Sequence, residues 1–388
     1  MRYCSLVELQ PGMLLGRHVY GFKGDLLLGR GNKLDDYFIA RLASLGFPGV
    51  YVEEAGFEEV QPPELIDVAL RASTEVLLGQ CFEDLVHLKA SSGPDTESLQ
   101  QTLIDHPELR RSLPVGKVRS QVNQVVQEIT DQFTTELPCL LLKSQSQYLV
   151  QHATDVMLIS ILLGVNFNLI YRELRQLGLA ALLHDVGKCV LTAEGETILG
   201  PEHSKYKEHP YVGAQLVLNS GDDLFTECAT IQQHHERQDG AGFPDGLKGE
   251  RKSPAHSRSY QAGKIYRLAE IVSVADAYDV LTSGSYGLML SPEAALQELI
   301  RRSENEFNPH VVSMLVKTIQ IFPVGSQVRI EKTSDPHIRN MRGIVSQFRP
   351  EAPHQCDLIL CHDATGKRVT PSKVSLAGDE RARLALVL

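Results

Sequence analysis

Between Gln145 and Leu163 the apolar positions recur at helical spacing. His152, Val156, Ile159 and Leu163 fall at i, i+4, i+7 and i+11 and share one face, which places His152 on the buried side. From Ser144 to about Ile321 nearly every segment keeps this period. The pattern predicts helices from about Asn168 to Leu183, after His209 with Pro210 in the first turn, and over 224–235, 265–282 and 292–303. Before this region, residues 1–60 read as short strands around turns, with a helix capped by Asp35 or Asp36, ended by Gly46 and followed by a strand at Val50 to Val52. Residues 61–140 lose the strand signals and predict a helical connector, with starts at Pro63 and Pro107. After Phe322-Pro323-Val324-Gly325 the pattern alternates over Val328 to Ile330, Gly343 to Phe348 and Cys356 to Leu360, predicting a small β module over 322–388. The expected architecture is multidomain α+β: an all-α bundle over 141–321 with a small α+β module before it and a β module behind.

Length and charge narrow the function classes. A chain of 388 residues exceeds one compact core, and 43% hydrophobic with 22% charged residues is an ordinary globular composition. The formal charge of -10 argues against a nucleic acid polymer as partner. The longest apolar run, Val156 to Val165, is broken by Ser160 and Gly164 and falls short of the roughly 20 residues that span a bilayer, so a buried helix, no membrane and a cytoplasmic location are expected. Seven scattered cysteines, never spaced C-x-x-C, argue against both a disulfide framework and a thiolate zinc site. Any metal must then be held by nitrogen and oxygen.

The helical region supplies such ligands. His152, the pair His184-Asp185, His209 and the pair His234-His235 lie within it, and Asp276 sits among Ile271, Val272, Val274 and Ala275, where an unpaired charge would cost several kcal/mol. A lone His152 is more often a hydrogen-bonded core residue, and His209 alone could cap a helix. Several imidazoles clustered in one bundle without a ligand would instead incur repulsion and desolvation, so jointly they point to divalent metal.

In order along the chain stand LLHDVGK (182–188), KEHPYVGAQ (207–215), HHERQDGAGFPDGLKG (234–249), VADAYDVLTS (274–283) and EFNPHVV (306–312). These strings resemble the HD-GYP family of cyclic di-GMP phosphodiesterases over about residues 145–320. The resemblance implies two divalent ions, iron or manganese rather than zinc. One would be held by His152, His184, Asp185 and Asp276, the other by Asp185, His209, His234 and His235, with Asp185 and a water or hydroxide bridging. It implies hydrolysis of cyclic di-GMP in bacterial signalling, ending either at linear pGpG or at GMP, with Lys188 offering its ammonium to the phosphate or the leaving oxygen. The loop with Gly240, Gly242, Phe243 and Pro244 would approach the substrate closely.

The chain departs from the family at three places. Phe243 stands where the naming triplet has Tyr, keeping the ring without the hydroxyl. Tyr148, four residues before His152, replaces the Glu of three-metal members, which favours two metals. After VADAYDVLTS the chain continues Gly284-Ser285-Tyr286-Gly287, without the family's phosphate-binding cations. Arg251, Lys252 and Arg258 are the replacement candidates, against the plainer reading of a solvated basic loop. The missing cations also motivate a second reading: a catalytically weak nucleotide sensor or signalling protein that contacts protein partners through its terminal modules. Helical connectors of this kind can pair, so a homodimer is a further expectation.

Overall fold

A computed structural model describes residues 1–21, 25–45, 47, 49–91, 112–132, 137–138, 148–191, 200–218, 223–255, 261–284 and 289–387. The chain divides into two compact units. One comprises Met1–Val68, Glu136–Tyr148 and Thr318–Leu388; the other comprises Ala69–Thr135 and Leu149–Lys317. The partition differs from the linear order expected from sequence. The two terminal modules form one unit, and the connector helices join the bundle.

In the first unit, β1 (Arg2–Ser5), β5 (Gly49–Glu53) and β2 (Leu14–Leu15) form an antiparallel sheet in the order β1-β5-β2. β3 (Val19–Tyr20) and β4 (Leu26–Leu28) make a separate hairpin, and the short β6 (Leu137–Pro138) and β7 (Ile319–Gln320) pair in parallel. Helix α1 (Asp36–Ser44) starts where expected, because the Asp35 carboxylate accepts from the Phe38 N–H at 2.7 Å. Gly46 lies outside the described residues. The C-terminal strands β8 (Gln327–Lys332), β9 (Arg342–Gln347), β10 (Asp357–His362), β11 (Arg368–Ser375) and β12 (Arg383–Leu386) form an antiparallel sheet in the order β11-β10-β9-β8-β12. Its inner face buries Val328, Ile330, Val345, Leu358, Leu360 and Leu384. A further cluster of Phe57, Val60, Ile344, Ile359 and Cys361 joins the two chain ends, and the Met1 ammonium donates to the Phe57 and Val60 carbonyls at 2.8 and 2.6 Å.

The second unit is helical: α2 (Val68–Ser91), α3 (Val115–Asp131), α4 (Tyr148–Asn166), α5 (Tyr171–Leu183), α6 (Lys188–Leu191), α7 (His209–Leu218), α8 (Phe225–Gln233), α9 (Arg267–Ser283), α10 (Pro292–Arg302) and α11 (Pro309–Thr318). Pro63 starts no helix, since residues 61–67 are irregular and α2 begins at Val68; Pro107 lies outside the described residues. α2 buries Thr74, Leu78, Cys81 and Leu85, one stripe at i, i+4, i+7 and i+11. α3 buries Val115, Val118, Val122, Val125, Val126 and Ile129 and packs on α5, where Gly178 admits the Val122 side chain. α4 is the one helix among the described residues long and apolar enough to cross a membrane, and it is buried inside the bundle. The described cysteines, Cys4, Cys81, Cys189, Cys228, Cys356 and Cys361, are all free and buried; Cys139 lies outside them.

One ion pair ties the connector to the bundle. Arg71 on α2 reaches Asp155 on α4 at 2.5 Å, and the Asp155 side chain is wholly buried while Arg71 keeps a quarter of its exposure. Removing the cation takes away the positive charge that faces a buried carboxylate. Arg71→Ala should therefore destabilise the protein by about 3 kcal/mol in chemical denaturation, and Arg71→Ala with Asp155→Asn should recover part of the loss; an unchanged midpoint would refute the role.

Candidate metal centre

Three histidines share one orienting device. The Nδ1–H of His184 donates to the Ala181 carbonyl at 2.7 Å, that of His209 to the Tyr206 carbonyl at 2.5 Å, and that of His234 to the Ile231 carbonyl at 2.6 Å. Each acceptor lies three residues back: Ala181 and Ile231 in the last turns of α5 and α8, where carbonyls are free to accept, and Tyr206 in the short 3-10 turn before α7. His152, on α4, donates Nδ1–H instead to the Asp279 carboxylate of α9 at 2.6 Å. With all four Nδ1 protons committed, the Nε2 atoms carry the lone pairs, and they face one another: His152 and His184 at 3.2 Å, His209 and His234 at 3.3 Å.

Asp185 lies between the two pairs. Its Oδ2 is 3.6 Å from both His152 and His184 Nε2, and its Oδ1 is 3.2 Å from His209 Nε2 and 4.0 Å from His234 Nε2. Oδ1 is buried and receives no hydrogen bond. Asp276 Oδ1 stands 3.2 Å from His152 and 3.9 Å from His184 Nε2. Three overlapping ligand groups result: His152, His184 and Asp276; His184, Asp185 and His234; and His209, His234 and His235. Paired lone pairs and an orphaned carboxylate oxygen, all buried, are groups a cation would satisfy, so the donor set fits divalent metal.

Electrostatics agree. Burial holds His184, His209 and His234 below the ordinary imidazole range, and burial with His209 beside it pushes His235 down to about 3. They are neutral, as ligands must be. His152 is the exception: burial also opposes its charge, but Asp276 and Asp279 outweigh it and push its pKa up to about 9, so a metal bound at its Nε2 would displace a proton. Burial likewise opposes the charge on Asp185, yet Lys188, whose Nζ is 2.5 Å from Oδ2, and the nearby His184 hold it well below the carboxylate range.

The motif glycines bring the ligand helices together. A Cβ on Gly187 would strike the His209 carbonyl and come within 2.8 Å of Gly213 N, so the HD-x-GK turn can meet the HP-x-x-G helix only with glycine at 187. Beyond His235, Glu236 accepts from the Asp245 and Leu247 N–H groups at 2.7 and 2.8 Å and fixes the glycine loop. Gly242 packs against the backbone of residues 235–237 where a side chain cannot fit, while Gly240 takes φ +82°. Phe243 lies 4.7 Å from the His235 ring, and exposed Pro244 follows it.

The structure thus brings together His152, His184, Asp185, Lys188, His209, His234, His235 and Asp276, with Gly240, Gly242, Phe243 and Pro244 on the adjoining loop. It engages the replacement cations elsewhere. Arg251 donates to the Glu304 carbonyl and Lys252 pairs with Glu250 at 3.1 Å; Arg258 lies outside the described residues. Three contributors are not marked by sequence. Asp279 lies in the VADAYDVLTS string but has no ligand spacing. Tyr206 places its hydroxyl 3.3 Å from His235 Nε2, and the Lys207 ammonium lies 5.9 Å over the Phe243 ring. Only their places in the KEHP region could have pointed to the last two.

Residues 149–281 match the HD domain family. The chain is 31% identical over 201 residues to a cyclic di-GMP phosphodiesterase of Pseudomonas aeruginosa, covering 50% of this chain and 45% of that protein. It is 35% identical over 152 residues to a cyclic di-GMP phosphodiesterase response regulator of Xanthomonas campestris, covering 37% and 36%. A cyclic di-GMP phosphodiesterase of Thermotoga maritima is 34% identical over 146 residues, covering 36% of each. The chain spans less than half the length of these relatives. A solved HDG"Y"P protein from Bdellovibrio bacteriovorus aligns over 81% of this chain and 97% of that one, at a TM-score of 0.43 and 17% identity. The stretch that matches the HD domain family holds His152, His184, Asp185, His209, His234, His235 and Asp276.

The buried geometry can be tested at two residues. Asp279→Ala leaves His152 in place but removes its orienting acceptor, and metal affinity in a competition titration should fall about 10- to 100-fold; an unchanged affinity would contradict the role. Glu270, buried on α9, accepts from Gln238 at 2.6 Å and Asn308 at 2.9 Å, yet burial pushes it up to about 7. The folded protein then holds this proton more tightly than the unfolded chain. Its contribution is fully present below the ordinary glutamate pKa and is lost as pH rises through about 7. Denaturation midpoints should fall over that interval, less steeply in Glu270→Gln.

Proposed function

We propose that this chain is a metal-dependent phosphodiesterase that opens cyclic di-GMP to pGpG and carries the product on to GMP. The observation that supports this most is the convergence of four Nε2 atoms on Asp185 with a lysine ammonium at its edge. His152, His184, Asp185 and Asp276 would hold one ion, and Asp185, His209, His234 and His235 the other; mixed nitrogen and oxygen ligands suit iron or manganese. When bound, two divalent ions supply an acidified water and charge stabilisation for phosphodiester hydrolysis.

The protein's own groups do the rest. Lys188 keeps Asp185 ionised and holds a positive charge at the centre, 5.3 Å from the Tyr206 ring. The His235 ring stacks towards Phe243, which presents an aromatic face for a base at the loop. Lys207, over that face, offers the exposed cation that the segment after VADAYDVLTS does not. The engagement of Arg251 and Lys252 by Glu304 and Glu250 favours the rival reading, a sensor that binds the dinucleotide without turning it over.

Anaerobic incubation of iron- or manganese-loaded protein with cyclic di-GMP, followed by chromatography, separates the two. Product should form in the wild type and vanish with metal in His184→Ala and Asp185→Ala. Lys207→Met should raise KM about tenfold or more, the worth of one charge-assisted phosphate contact, while metal content stays unchanged. A loaded wild type that binds the dinucleotide without product would overturn the enzymatic reading.

A further inference from the structure

The C-terminal sheet carries a cleft of about 460 Å³ lined by Lys332, Thr333, Arg339, Glu380, Arg381 and Arg383. Four of its six lining side chains are cations and one is an anion, in a chain with a formal charge of -10. All four cations are exposed, and among the described residues none of them takes part in an ion pair with a carboxylate. Two of them are direct cross-strand partners: in the antiparallel pair of β8 and β12, Arg383 stands opposite Lys332. Like charges facing across a ladder are destabilising, so this pairing stands against its own repulsion unless an anion joins it.

The cleft's walls are fixed rather than loose. The Asp379 carboxylate accepts from the Thr333 hydroxyl at 2.7 Å, the Ser334 N–H at 2.8 Å and the Arg381 N–H at 3.0 Å, binding the turn after β8 to the turn before β12. On the third side, Asn340 takes φ +65° and donates its N–H to the Ile330 carbonyl at 2.7 Å, while the Ile330 N–H donates to the Met341 carbonyl at 3.0 Å. This closure returns Arg339 beside Lys332. The Arg383 guanidinium bonds backbone carbonyls through one terminal nitrogen only, at Ala382 and Glu380, so the other keeps its donors for a ligand.

We infer that this cleft is a second ligand site, separate from the metal centre, for a small molecule carrying two or more phosphate groups. Guanidinium forks match phosphate oxygens in pairs, and the volume suits a nucleotide-sized ligand rather than a single phosphate. Glu380 on the rim accepts hydrogen bonds but repels a continuous phosphate chain, which disfavours nucleic acid.

The test is calorimetric titration of the full, metal-loaded protein with pyrophosphate at low salt, comparing wild type with Arg339→Ala/Arg381→Ala/Arg383→Ala. These side chains are exposed and the metal centre is untouched, so binding that survives in the variant belongs to that centre. The wild type should show an additional site whose affinity falls at least tenfold in the triple variant and in Arg381→Glu, with thermal midpoints unchanged. Identical isotherms in wild type and variants would overturn the proposal. Displacement of pyrophosphate by single-stranded oligonucleotides with affinity rising with length would overturn the small-ligand assignment in favour of nucleic acid.

Discussion

The centre depends on where four protons sit. An imidazole that donates from Nδ1 to a carbonyl or carboxylate has its Nε2 lone pair fixed in direction, and His152, His184, His209 and His234 all do so. Their lone pairs then converge in a volume from which water is largely excluded, around a carboxylate whose Oδ1 receives nothing. Without positive charge this arrangement is costly; with it, each member stabilises the others. Folding therefore makes a candidate cation site by committing backbone acceptors three residues before three of the histidines, two of them at helix C-terminal ends, where such acceptors are left over.

This constraint explains why motif residues that bind nothing are as restricted as the ligands. His184 and His209 belong to different helices, and both must bring Nε2 to Asp185. Gly187 lets those backbones approach to a distance that a Cβ there would forbid, while Gly213 faces it across a tight contact. Glu236 does a comparable job one residue after His235: its two backbone acceptances hold a loop that would otherwise have many conformations. The ligands supply the chemistry, and the glycines and Glu236 supply the distances.

Much of this was legible in the chain. Helical periodicity placed the bundle helices to within a few residues, and the His/Asp clustering pointed to divalent metal because imidazoles crowded into an apolar bundle repel one another and lose solvation unless they share a cation. The legible features were local. Asp279 acts across 127 residues of sequence on His152, and its place in the VADAYDVLTS string does not show which side chain it meets. Pro63 looked like a helix start because Pro-Glu often is one, whereas the apolar stripe of α2 that sets the helix begins several residues later. The union of the two chain ends into one unit rests on Phe57, Val60, Ile344 and Ile359, residues that individually read as ordinary core.

The least legible feature was the position of the cations. Sequence proximity to the glycine loop made Arg251 and Lys252 the natural replacements for the missing phosphate ligands, but proximity along a loop does not set side-chain direction. Arg251 occupies the left-handed region at φ +53° and is committed to Glu304, while Lys252 has Glu250 two residues away. Lys207 lies 36 positions before Phe243 in sequence and yet is the cation above its ring, because the short turn before His209 packs Tyr206 against His209, His235 and Phe243. The cation nearest the loop's ring is thus set by the packing of the turn before His209 and not by position along the glycine loop.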